Sequence, residues 1–129
     1  MPIHMNIVPI ERLVIIVGRG LLTAADIAAN ARELHDANVL PYAKILDFSS
    51  ATSALTGEQI DEIAATVRGG ADDPMRGPVA FVVNPDRPGF AEAFAAATQG
   101  ERPIKLFRSL HEARRWLDES RRITFRDVA

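Results

Sequence analysis

Asp47 closes a short apolar run, Ala43-Lys44-Ile45-Leu46-Asp47-Phe48, and the hydroxyl-bearing residues Ser49, Ser50, Thr52, Ser53 and Thr56 follow within ten positions. A carboxylate beside hydroxyls is raw material for a general base or a metal ligand, and a row of hydroxyls is raw material for phosphorylation or anion binding. If the run is a strand and Thr56 precedes a helix, the cluster lies at the carboxyl end of the strand, where open parallel sheets bind ligands and where a helix N-terminus favours anions. The same residues have a plainer use as loop formers and caps whose hydroxyls satisfy local backbone groups, with Thr56 as an N-cap. Asp47 has no acid or base partner fixed by spacing, and acid–base catalysis requires one. The candidate partner, ligand or phosphorylation site is therefore Asp47, Ser49, Ser50, Thr52, Ser53 and Thr56, with no catalytic role assigned.

Other chemistries find less material. The sequence has no cysteine, which removes thiol nucleophiles, thiolate metal sites and disulfides and suits a reducing compartment. His4, His35 and His111 are scattered without the spacing of a zinc motif. Gly18-Arg19-Gly20-Leu21-Leu22-Thr23 carries two glycines of a dinucleotide fingerprint, but Thr23 stands where the third belongs, so a tight turn is the simpler reading. Neither a Gly-Lys-Ser/Thr phosphate loop nor a Gly-x-Ser-x-Gly elbow occurs. These readings call for no metal and no cofactor. With 15 basic against 17 acidic residues, the net charge of -2 creates no field for gathering nucleic acid. Arg114, Arg115, Arg121, Arg122 and Arg126 concentrate toward the C-terminus, where Glu112, Asp118, Glu119 and Asp127 dilute them into a solvated face.

The length of 129 residues, with 47% hydrophobic and 25% charged residues, fits one globular domain. A chain of this size buries roughly two thirds of its unfolded surface and needs no metal or staple to fold. Ile3 to Ile10 and Leu13 to Val17 read as a hairpin turning at Glu11-Arg12, with the second strand ended by Gly18-Arg19-Gly20. Thr23-Ala24-Ala25-Asp26 is a capping box opening a helix over 24–38, with Ile27, Ala31 and Leu34 on one face. The run from Ala43 to Phe48 is the next strand, broken by a hydroxyl-rich loop over 49–53. Thr56-Gly57-Glu58-Gln59 is a second capping box, opening a helix over 57–68 that turns Ile60, Ile63, Ala64 and Val67 inward. Val79-Ala80-Phe81-Val82-Val83 reads as a central strand covered on both faces, and an alanine-rich helix over 86–98 follows. Ile104 to Phe107 is a last strand, and Ser109-Leu110-His111-Glu112 caps a helix with Leu110, Ala113 and Leu117 inward. The order β-β-α-β-α-β-α-β-α predicts an α/β domain with a mostly parallel sheet, an N-terminal hairpin and helical cover.

That order resembles the STAS domain of anti-sigma-factor antagonists and, more closely, the stand-alone STAS-like or SpoIIAA-like bacterial proteins. The resemblance spans about residues 10–118. It is carried by Gly18 to Asp26, Ile45-Leu46-Asp47-Phe48-Ser49, Val79 to Val83, and Leu106-Phe107-Arg108-Ser109-Leu110-His111-Glu112-Ala113-Arg114-Arg115-Trp116-Leu117. In the antagonists it implies a phosphorylatable serine in an Asp-Ser-Ser-Gly motif that opens the helix after the third strand. This sequence departs from the motif: without a gap the serine falls on Gly57, and a shift of one places Thr56 there.

The resemblance implies a STAS-like domain over 1–120 with a tail over 121–129, acting as a non-enzymatic regulatory or binding module. Its partner protein or small molecule would be recognised near the 49–58 loop and the following helix N-terminus. Two other readings stand beside it. In one, Phe81, Phe90, Phe94 and Trp116 line a cavity, and an apolar ligand is carried between the sheet and helix 86–98. In the other, a small enzyme uses Asp47. The tail Arg121-Arg122-Ile123-Thr124-Phe125-Arg126 alternates like a strand, so Ile123 and Phe125 are expected to dock on the domain or on a second subunit in a homodimer. The longest apolar run, Leu13 to Val17, is far too short to span a membrane, and no basic-then-apolar leader opens the chain, so the expected location is cytoplasmic.

Overall fold

The computed structural model describes residues 3–39, 41–53, 55–69, 77–84, 86, 89–97 and 104–128; the side chains of 53, 64, 66–69, 89, 90 and 120–128 lie outside that description. Among the described residues the chain is α/β, a five-stranded mixed sheet with four helices. Its elements run β1 (Ile3–Val8), β2 (Leu13–Leu22), α1 (Ala24–Asp36), β3 (Ala43–Ser53), α2 (Gly57–Gly69), β4 (Val79–Val82), α3 (Gly89–Ala97), β5 (Ile104–Phe107) and α4 (Leu110–Val128). The spatial order of the strands is their chain order, with β1 antiparallel to β2 and the rest parallel.

Alternation along the strands divides the core into two layers. Phe81, Val79 and Val83 meet Ile27 of α1, Ile60 and Ile63 of α2, and Ala91 and Phe94 of α3 on one face. Ala80, Val82, Ile45, Ala43 and Leu13 meet Ala113 and Leu117 of α4 on the other. Every residue of β4 is buried, as its unbroken apolar run predicts for a strand covered on both sides. Each of these large apolar side chains contributes about 1.5–3 kcal/mol by leaving water. Near β1, Val14, Ile16 and Val39 form a third cluster with Ile3, Met5 and Ile7.

The capping signals mark the helix starts accurately. Thr23 Oγ1 accepts the Asp26 N–H at 3.2 Å while Asp26 Oδ2 accepts the Thr23 N–H at 3.0 Å. Thr56 and Gln59 repeat the exchange at the start of α2, and Ser109 Oγ accepts the Glu112 N–H at α4.

Several boundaries differ from the sequence reading. The hairpin turns through a short 3-10 helix, Pro9–Glu11, closed by Arg12 in the left-handed region at φ 49°. Gly18-Arg19-Gly20 does not end β2, which continues to Leu22, and the expected 49–53 loop is a continuation of β3 to Ser53. The two extensions hydrogen-bond each other from Arg19↔Ser50 to Leu22↔Ser53. Parallel pairing satisfies backbone groups that a loop would have left to hydroxyls and water. The tail is helical, not a strand: α4 runs on to Val128, because no glycine or proline after Ser120 stops it. The docking expected of Ile123 and Phe125 falls on side chains outside the described residues. Among the described residues no helix is long and apolar enough to cross a membrane.

Candidate functional site

A bulge sets the geometry around Asp47. Between one pair of partners and the next, β2 advances two residues, Val17 to Arg19, while β3 advances three, Asp47 to Ser50. An extra residue on one strand locally breaks the ladder and bends it. The Asp47 carboxylate closes the gap: its Oδ1 accepts the Ser49 N–H at 3.2 Å and the Ser49 hydroxyl at 2.6 Å. Both side chains are half-buried. Just past the bulge, Gly20, the partner of Ala51, takes φ +69°, a conformation that costs glycine little. Gly18 meets a second demand, because a Cβ there would lie 2.7 Å from the Phe48 ring. That ring lies over the strand and leans on Phe81 at 6.0 Å between centroids.

Beyond the bulge the ribbon of β2 and β3 has unlike faces. Leu22 is buried in the α1–α3 layer and Ala51 packs against it. By alternation, Leu21 and Thr52, which are direct partners, and Arg19 and Ser50, also partners, belong to the opposite face. All four are exposed, Leu21 to 61%. Among the described residues no hydrogen bond involves the Ser50 or Thr52 hydroxyl. Thr56 stands three residues past the ribbon and is exposed, with its hydroxyl accepting the Gln59 N–H at 3.2 Å.

The six expected site residues thus divide by use. Asp47 and Ser49 are joined and hold the bulge. Ser50 and Thr52 present free hydroxyls on an open face, and Thr56 caps α2. Ser53 ends β3, and its side chain lies outside the described residues.

The remaining candidates fall apart in space. His4 is on β1, His35 in the last turn of α1 and His111 in the first turn of α4, all exposed. Among the described residues no group of His, Cys, Asp and Glu is set to hold a metal ion. Trp116 leaves the expected aromatic cavity altogether, packing on Phe107 at 5.7 Å in the α4 layer. Phe81 and Phe94 remain together, edge to face at 6.0 Å; the Phe90 side chain lies outside the described residues. Among the described residues, His111, Arg114, Arg115, Asp118 and Glu119 line a cleft of about 350 Å3 along α4, and Asp47, Ser49, Ser50, Thr52 and Thr56 take no part in it. Its charges are mixed, and Arg114 is engaged by Glu11 at 3.3 Å.

One residue escaped the sequence reading. Lys44 is buried at 8% exposure, and its ammonium donates to the carbonyls of Val39 at 3.1 Å and Tyr42 at 2.9 Å. It fastens the turn between α1 and β3, where Asn38 takes φ 57°. A lysine sharing the strand parity of Leu46 and Phe48, both turned toward the helices, was the available signal.

No family model, curated protein or solved structure matches this chain.

Proposed function

We propose that the chain is a non-enzymatic regulatory module of STAS-like type, working in the cytoplasm, whose partner is recognised on the ribbon of β2 and β3 and at the start of α2. The observation that carries the proposal is the open ribbon face, where the unengaged hydroxyls of Ser50 and Thr52 lie beside Arg19 and Leu21. An exposed leucine beside an arginine and two hydroxyls offers a partner an apolar anchor, a cation and polar contacts together. Phosphate on Ser50 or Thr52 would stand next to the Arg19 guanidinium and recast that face electrostatically. On Thr56 it would break the capping exchange with Gln59 while gaining from the helix N-terminus, so modification there would repack the start of α2.

The local chemistry favours this reading over the two others. Asp47 spends one carboxylate oxygen on Ser49, in a contact that explains the bulge without invoking a reaction. Between α3 and the sheet, where an apolar ligand would sit, Ala91 and Phe94 are buried against Phe81. The test is binding of the natural partner, isolated on the wild-type chain, to a variant with Leu21→Asp and Thr52→Asp together. These positions are exposed, so the expected result is lost binding with unchanged unfolding behaviour. Full binding by the double variant would overturn the assignment of the ribbon, and an Asp47→Asn chain that loses a measured turnover would establish an enzyme instead.

A further inference from the structure

The sheet has two edges, β1 and β5, and they are not alike. β5 is four residues long and carries the exposed Lys105. β1 is six residues long, Ile-His-Met-Asn-Ile-Val, without lysine, arginine, aspartate or glutamate, an internal proline or a bulge; its register with β2 is continuous from Ile3↔Gly18 to Val8↔Leu13. Proteins protect exposed edges with lysine, proline, bulges or short strands, because a row of unpaired N–H and C=O groups invites another strand. Among the described residues no hydrogen bond reaches the outer edge of β1. Its inner face is partly buried under α1 through Ile3, Met5 and Ile7, while His4 and Asn6 are exposed on the other.

We infer that β1 pairs antiparallel with β1 of a second copy of this chain, joining the two sheets into one across a two-fold axis. The absence of lysine, arginine, aspartate and glutamate from the strand selects this occupant. An isologous contact sets the same residues on both sides of the axis, so a strand carrying charges of one sign would repel itself and β1 does not. Polarity also selects the register. Directly opposed residues of an antiparallel pair share a face, so both members must come from the inner set or both from the outer set. Centring the axis on Met5 opposes Met5 to its counterpart, Ile3 to Ile7, and His4 to Asn6, apolar with apolar and polar with polar. Moving the axis to Asn6 would oppose Val8 to His4. The chosen register continues the apolar row from one copy to the next, with one α1 from each copy flanking the seam. The contact is independent of the α4 tail and of the hydroxyl ribbon, so it can persist whether or not those carry the function.

The experiment compares sedimentation of the full-length wild-type chain with two double variants at the exposed positions. H4K/N6K opposes lysine to lysine across the axis, whereas H4D/N6K opposes aspartate to lysine. The expected result is a dimer for the wild type, a monomer for H4K/N6K and a dimer again for H4D/N6K, with similar far-ultraviolet circular dichroism in all three. Amide exchange of residues 3–8 in the wild type supplies a readout that needs no variant, and their protection should fall on dilution. A monomeric wild type, a dimeric H4K/N6K, a monomeric but folded H4D/N6K, or β1 protection independent of concentration would each overturn the inference.

Discussion

Replacing Gly18 with alanine tests how the bulged strand and the core are fitted together. The added Cβ would lie 2.7 and 2.8 Å from two carbons of the Phe48 ring and 3.2 Å from Leu22 Cδ1. The ring cannot simply retreat, because it packs on Phe81, which is fully buried. Overpacking of this kind costs about 1–3 kcal/mol. Alanine in a strand is better than glycine by about 0.5–1 kcal/mol, since less backbone entropy is lost. The net expectation is therefore a loss of about 0–2.5 kcal/mol, at roughly 3–5 °C in Tm per kcal/mol for a chain this size. Urea unfolding measures it, with an unchanged slope showing that the denatured state is the same. A Phe48→Ala background isolates the cause. There the clash with the ring is gone, only the 3.2 Å approach to the movable Leu22 Cδ1 remains, and Gly18→Ala should stabilise by up to about 0.5–1 kcal/mol, leaving a coupling of about 1–3 kcal/mol between Gly18 and Phe48. Equal effects of Gly18→Ala in both backgrounds, within about 0.5 kcal/mol, would refute the steric reasoning.

Thr56→Ala should cost about 1 kcal/mol in urea unfolding through the lost cap of α2, and a loss far below that would mean the helix start is held by something else. Lys44→Met keeps most of the side-chain volume but takes the ammonium from the Tyr42 carbonyl and leaves the Val39 carbonyl with the Tyr42 N–H alone, so a loss of about 1–3 kcal/mol is expected. An equally stable Lys44→Met chain would show that water replaces the ammonium. Ser49→Ala removes the 2.6 Å hydroxyl bond to Asp47 while leaving the backbone bond, which predicts a smaller loss of about 0.5–1.5 kcal/mol and the same β3 register by amide exchange.

The helix starts were legible because capping is local: Thr23 with Asp26 and Thr56 with Gln59 meet within one turn whatever surrounds them. The order of strands and helices along the chain was legible because β-branched runs alternate with helical faces. The length of β2 and β3 was not, since neither Gly18-Arg19-Gly20 nor Ser49-Ser50-Ala51-Thr52-Ser53 favours a strand by composition. Each extension exists because the other is there to pair with it. The site shifted for the same reason: hydroxyls expected in a loop stand on a ribbon, where alternation decides that Ser50 and Thr52 share one face while Ala51 joins the core. Lys44 stayed hidden because the carbonyls it serves belong to a turn that composition does not specify. The tail misled in the opposite sense, its alternation of Ile123 and Phe125 being equally compatible with continuing α4.

The regulatory reading turns on whether the hydroxyl segment is modified in the cell. Intact-mass spectrometry of the protein purified from its own organism, followed by peptide mapping, answers this directly. The expected result is a covalent phosphate on the 49–56 segment, at Ser50, Thr52 or Thr56. An unmodified segment, with a non-covalent small-molecule mass seen only in the native spectrum, would contradict it and make the chain a carrier.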